Sequence, residues 1–149
     1  MKYFEDIAVG QALTYPGRHE VTAAEIIRIA AEWDPQPFHL DEEAARLSIF
    51  GGLVASSVHL FAITSKLCHS DPEKWATVSA LGMREIRSHA PARPGDRLEV
   101  RSICLDKRPS ASRPGLGVVE FEVQLLNQKG EVLYAYVSAV LLRMRGQGD

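Results

Sequence analysis

The sequence predicts an α+β fold in which one long apolar helix lies across an antiparallel β-sheet. Three observations carry this expectation. Residues 53–67 form a strongly apolar stretch with Val54, Val58, Leu60, Phe61, Ile63 and Leu67 spread over most faces, so a helix here must be buried on more than one side. From Thr77 onward the apolar residues tend to alternate with polar ones, the period of a strand with one covered face. Two long strand-type runs, residues 118–126 and 132–142, are joined through Asn127-Gln128-Lys129-Gly130, which is hairpin chemistry. A sheet built this way has an inner face to cover, and the 53–67 helix is the simplest cover.

The chain has 149 residues, enough for one domain with a sizeable core, and a single domain over residues 1–149 is expected. Its hydrophobic content of 46% and charged content of 24% are ordinary for a globular chain. A net charge of -2 argues against nucleic acid as the main partner, because that binding needs a basic face to neutralise phosphates. A local basic patch for a smaller phosphorylated ligand stays compatible with it. Cys68 and Cys104 sit among apolar neighbours, with no Cys and His spacing suited to zinc, and read as buried, inert thiols. The first residues lack a basic head followed by an apolar run, and no apolar run approaches the roughly 18 residues of a membrane span. A cytoplasmic location without membrane contact is expected.

Taken in order, residues 12–20 carry a mixed strand signal broken by Pro16-Gly17 and predict at most an edge strand. Thr22-Ala23-Ala24-Glu25 has the pattern of a capping box, in which the Thr hydroxyl accepts a backbone N–H and the Glu reaches back to the cap. Ile26, Ile29, Ala30 and Trp33 follow as one stripe with Ile27 beside it, so the spacing predicts a helix over 23–32. Pro35 and Pro37 end it and push Asp34 and Gln36 toward extended backbone, giving a stiff loop. Asp41 caps a second helix whose first turn is acidic. Beyond the long helix, strands are expected over 77–87 and 98–106, with the Pro91–Asp96 segment as a turn and residues 108–115 as a polar loop. The tail from Arg143 is polar and expected to fray.

Asp34-Pro35-Gln36-Pro37-Phe38-His39 places a carboxylate and an imidazole on that loop. Read singly, Asp34 is a loop or cap residue and His39 a hydrogen-bonded surface histidine; read together they form an acid/base pair. Gly51-Gly52 permits either a tight turn or the close approach of a substrate chain to the backbone. His59 either lines a pocket or is a buried, satisfied histidine. His69 and His89 carry no pattern of their own.

These residues resemble the MaoC-like dehydratases, whose characterised members include (R)-specific enoyl-CoA hydratases. The resemblance rests on Asp34 to His39, on Phe50-Gly51-Gly52-Leu53-Val54-Ala55-Ser56, and on Arg87 followed by Pro91-Ala92-Arg93-Pro94-Gly95-Asp96. The segments 107–114 and 125–132 are also similar to many members, so nearly the whole chain is covered. The resemblance implies a hot-dog fold, a homodimer or higher homo-oligomer, and reversible hydration of a small 2-enoyl-CoA thioester in fatty acid metabolism. No metal or other cofactor is implied beyond the coenzyme A of the substrate. Asp34 and His39 would be the catalytic pair, and the backbone N–H of Ser57 the donor to the enolate oxygen. Phe38, Gly51, Gly52, Val58 and His59 would surround the acyl thioester. Arg84, Arg87, Arg93 and Arg108, with Lys107 and Arg113, are candidates for the phosphates and adenine of coenzyme A, against the reading of each as a solvated charge. Members commonly carry Asn where Gln36 stands and Gly where Ser57 stands, so Ser57 keeps the N–H and narrows the space beside it. The rival functions are an acyl-CoA thioesterase, for which the 53–67 segment has no acidic residue, and a non-catalytic acyl-CoA-binding module.

Overall fold

A computed structural model describes residues 1–146. Two short strands open the chain, β1 (Ala12–Thr14) and β2 (His19–Glu20). Three helices follow, α1 (Ala23–Trp33), α2 (Pro37–Leu40) and α3 (Glu42–Arg46), and then the principal helix α4 (Ser57–Cys68). Four long strands complete the fold: β3 (Thr77–Ser88), β4 (Arg97–Pro109), β5 (Leu116–Leu126) and β6 (Val132–Arg143). The sheet is antiparallel in the order β1-β4-β5-β6-β3, with β2 also pairing β4. This is the α+β arrangement that the residue patterns predict and the hot-dog fold that the family resemblance implies. Every expected strand is present, and β4 and β5 each start or end a few residues outside their expected limits. Residues 147–149 of the expected frayed tail lie outside the described residues.

The core forms where α4 meets the sheet. Leu60, Ile63 and Leu67 of α4 pack with Val100 of β4, Val123 and Leu125 of β5, and Leu133, Tyr134 and Tyr136 of β6. Strand alternation supplies the inner face: along β4, Leu98, Val100, Ser102 and Cys104 are buried while their neighbours are not. The β5–β6 hairpin turns as its residue types dictate. Gly130 takes a positive φ of 75°, and the Asn127 side-chain oxygen accepts from the N–H groups of Lys129 and Glu131.

Four expectations about local structure are corrected. The apolar stretch does not become helical at Leu53; the helix starts at Ser57. Ser56, extended at ψ 157°, caps it by accepting from the His59 N–H at 3.2 Å, while Leu53, Val54 and Ala55 run into it buried and non-helical. Two environments therefore share the apolar content that sequence assigned to one helix. The expected loop at 37–40 is the short helix α2, because Pro37 at its first position has the required φ and needs no N–H partner. Trp33, placed on the buried stripe of α1, is 64% exposed as the last residue of the helix, while Ile26 and Ala30 carry the burial. The capping box at Thr22 is half formed. The Thr22 hydroxyl accepts from the Glu25 N–H at 3.2 Å, but the Glu25 carboxylate turns to His19 instead of the cap.

A second cluster, Phe4, Ile7, Cys104, Val119 and Leu142, packs the N-terminal segment against the sheet. Lys107 fastens it by donating to the carbonyls of Phe4 (2.9 Å) and Ile7 (2.7 Å). At Gly117 the Phe4 ring lies against the β5 backbone, in the space a Cβ would take. Gly117→Val is expected to destabilise the fold by about 2 kcal/mol through this overlap. A lowered urea midpoint at unchanged slope checks it.

Cys68 and Cys104 are both free thiols, Cys104 buried and Cys68 partly so. Burial pushes the Cys68 thiol up to about 11. The unfolded chain releases this proton near its ordinary value and the folded chain keeps it, so folding gains nothing from the shift above both values. The contribution is complete below about pH 8.5, is lost as pH rises toward 11, and amounts to about 2 kcal/mol. Wild type is expected to lose that much more stability than Cys68→Ala between pH 8 and 11, measured by urea unfolding.

Candidate active site

Asp34 and His39 are brought together by the end of α1 and the start of α2. Asp34 is the C-cap of α1, its N–H donating to Ala30 O at 2.9 Å, and Pro35 prevents another turn. The chain reverses through the Gln36 N–H, which donates to Asp34 O at 2.8 Å, and re-enters helix at Pro37. His39 is thereby carried inward and is 6% exposed. Its Nδ1 lies 2.6 Å from the carbonyl oxygen of Val54, an acceptor only, so Nδ1 holds the proton and Nε2 faces Asp34. The Nε2 to Asp34 Oδ2 separation is 3.7 Å. That is too long for a direct hydrogen bond, and it leaves both atoms open to a water molecule lying beside them in the cavity.

The non-helical run 53–56 forms the next wall through Val54 and Ala55. Its Ala55 N–H donates to Ala92 O at 3.0 Å, fixing Val54 so that its carbonyl can hold His39. Ser57, the first residue of α4, follows directly. The first N–H groups of a helix have no intrahelical acceptor, so those of Ser57 and Val58 remain available at the positive end of the helix dipole. The Ser57 hydroxyl lies 3.1 Å from that of Ser88, at the end of β3.

These groups line a cavity of about 440 Å³. Asp34, Phe38, His39 and Ser57 are all in its wall, joined by Gln36, Phe50, Val54, Ala55, Leu60 and the segment from Ser88 to Pro91. Phe38 packs edge-on to His39 at 4.5 Å and against Phe50 at 5.2 Å, making one side aromatic. Sequence reasoning missed Ser88 and His89. Ser88 ends, and His89 follows, a strand whose register is shifted between Arg84 and Arg87, with Glu85 at a positive φ of 55°, and no period reveals which way a bulged strand turns its last residues.

Gly51, Gly52, Val58 and His59 are not in the cavity wall. Gly51, at φ 66°, makes the turn into the non-helical run, and a Cβ on Gly52 would lie 3.4 Å from the Arg93 guanidinium. Val58 is 47% exposed on α4. His59 is buried on another face of α4, where its Nε2 lies 3.4 Å from Glu25 Oε2. Burial pushes the His59 ring below its ordinary value against the pull of the Glu25 carboxylate. Burial also opposes ionisation of Glu25, but its hydrogen bond to His19 and the charges of both histidines outweigh that and hold it low.

The arginine candidates divide. Arg93 donates to Phe50 O at 2.7 Å and so stands beside the cavity. Arg84 pairs with Glu120 at 3.1 Å and Arg108 with Asp106 at 2.9 Å, and both line a separate groove on the sheet. Arg87 is exposed on β3, and Arg113 lies in the loop before β5. Lys107 is spent on the N-terminal segment, which removes it from the coenzyme A candidates. A larger cavity of about 460 Å³ lies toward the other end of α4. Its Asp71 is paired with Lys2 at 2.7 Å, and its His69 ring with Ser65 O.

Residues 6–125 match the MaoC like domain. The chain belongs to this family. The MaoC-like dehydratase of Rhodospirillum rubrum is 43% identical, with a TM-score of 0.90 over 97% of this chain and 99% of that one. The uncharacterized protein YdeM of Bacillus subtilis is 31% identical over 83% of this chain and 87% of its own length. The R-hydratase PhaJ1 of Pseudomonas aeruginosa shares the fold, with a TM-score of 0.74 at 22% identity over 96% of this chain and 86% of that one. Among the described residues, no helix is long and apolar enough to cross a membrane.

Proposed function

We propose that this MaoC-like chain catalyses reversible addition of water to a small 2-enoyl-CoA thioester, in fatty acid metabolism and without a metal in the reaction. The observation that carries the reading is the 3.7 Å gap between Asp34 Oδ2 and His39 Nε2 in the cavity wall. A water held by both atoms loses a proton to the pair as its oxygen bonds to the β carbon. The double-bond electrons pass to the thioester oxygen, and a proton from the pair then reaches the α carbon. Protons move within a coupled pair, so neither step belongs to one residue alone. The Ser57 N–H, at the start of α4, is the donor for the enolate oxygen as charge develops there. Arg93 is the arginine best placed for the coenzyme A phosphates, through its position beside Phe50.

The thioesterase reading is disfavoured because α4, Ser57 to Cys68, carries no carboxylate to serve as nucleophile or base. Loss of enoyl absorbance on incubation with crotonyl-CoA and with branched or polar enoyl-CoA thioesters tests the proposal. Release of free thiol without hydration would favour the thioesterase, and tight binding without product the non-catalytic module.

The active unit in this reading is a homodimer in the cytoplasm. Along β3 every residue is exposed, including Val78, Leu81, Met83 and Ile86. An edge strand bearing four large apolar side chains is one that a monomer would ordinarily blunt with charge. A second copy pairing along this edge would cover them, and a two-fold pair is the commonest closed assembly.

A further inference from the structure

Glu25, His19 and His59 meet at the junction of β2, α1 and α4, outside the wall of the catalytic cavity. Their ligating atoms all lie within 4.8 Å of one another. His19 Nε2 is 2.7 Å and His59 Nε2 3.4 Å from the same carboxylate oxygen, Oε2 of Glu25. His59 is 2% exposed, and neither of its ring nitrogens makes a hydrogen bond among the described residues. A buried imidazole in that state is costly unless something satisfies it. Glu25, moreover, has abandoned the backbone cap that its place in the sequence offers in order to stand between two histidines.

We propose that His19, Glu25 and His59 form a mononuclear site for a divalent ion of the zinc class, which ties β2, α1 and α4 together. Two imidazoles and one carboxylate are a donor set that such an ion prefers, whereas magnesium and calcium favour oxygen donors. Ligand atoms about 2.0–2.1 Å from a tetrahedral ion stand roughly 3.3 Å apart. The His59 to Glu25 distance already meets this, and the His19 to Glu25 contact has to open by about half an ångström. His19, on a strand of two residues and partly exposed, can make that movement. Side-chain exposures of 13% for His19 and 23% for Glu25 give an ion a route in and leave a fourth position to solvent. The Arg28 guanidinium, whose charge reaches His59, is exposed and screened by water.

The role of this ion is positional. Helix α1 ends on Asp34 and α4 begins on Ser57, so a bond network joining Glu25 to His59 holds the two halves of the catalytic cavity at a set distance. The site stands independently of the thioester reading, and its test does not use turnover. The full chain, freed of metal by chelator, is titrated with Zn²⁺ by calorimetry and with Co²⁺ by visible absorption. The expected result is one ion per chain, with a dissociation constant below about 1 µM, and a rise of several degrees in Tm under saturating Zn²⁺. His19→Gln and Glu25→Gln, both at partly exposed positions, should each weaken binding by at least about 100-fold and abolish the Co²⁺ bands. Circular dichroism of the metal-free variants checks that the fold persists. If they are unfolded, imidazole NMR of wild type decides instead, because Zn²⁺ must shift the His19 and His59 rings and leave that of His69. Absence of stoichiometric binding, or binding that both folded variants retain, overturns the proposal.

Discussion

Asp34→Asn and His39→Gln are each expected to lower kcat for enoyl-CoA hydration by about 1000-fold, while substrate binding changes little. The two replacements test the pair differently. The Asp34 carboxylate accepts no hydrogen bond from the protein among the described residues and is one-third exposed, so Asn removes the charge without disturbing the fold. Its effect should fall on kcat, with an unfolding midpoint within experimental error of wild type. His39 also holds the Val54 carbonyl, so Gln costs some stability as well as activity. Since both residues serve one water, the double variant should be scarcely slower than either single one. Steady-state kinetics on crotonyl-CoA measures all three. A fully active Asp34→Asn or His39→Gln would remove that residue from the reaction.

Placing lysines at both Leu81 and Ile86 should convert a homodimer into monomers over the micromolar range. These side chains are 51% and 54% exposed on the β3 edge, so a single protomer accommodates the charges with little change in its own stability. A pair of protomers joined along β3 would bring like charges together and lose apolar burial on both sides of its two-fold axis. Sedimentation velocity distinguishes the states. Wild type running at the mass of one chain would refute the dimer at once. Because Ser88 closes β3 and lines the catalytic cavity, the monomeric variant is also expected to lose most of its hydratase activity.

Parts of this molecule are legible from residue order because they depend on neighbours a few positions away. Two prolines two residues apart must stop α1 and hold Asp34 near His39, whatever lies around them. Asp41 caps α3 as its position predicts, accepting from the Ala44 N–H at 2.7 Å. Alternation in β4 and the Asn127 to Gly130 turn likewise need no distant partner to be read.

Other features depend on contacts between segments far apart in the chain. The start of α4 at Ser57 rather than Leu53 follows from the run 53–56 being held by Ala92 and by the His39 ring. Ser88 joins the cavity because β3 is bulged, and Lys107 leaves the coenzyme A candidates because Phe4 and Ile7, about a hundred residues earlier, offer it carbonyls.

By itself the sequence determined the α+β meander with its covering helix, and the stiff corner that sets a carboxylate beside an imidazole. Propensity, proline geometry and strand period act locally and leave little choice at those points. Tertiary structure alone decided which helix face each polar side chain takes. His59 is two residues from Ser57, yet it lies outside the cavity wall and joins Glu25 and His19. Successive positions on a helix point about 100° apart, and only packing against β2 and α1 selects the direction that each one meets.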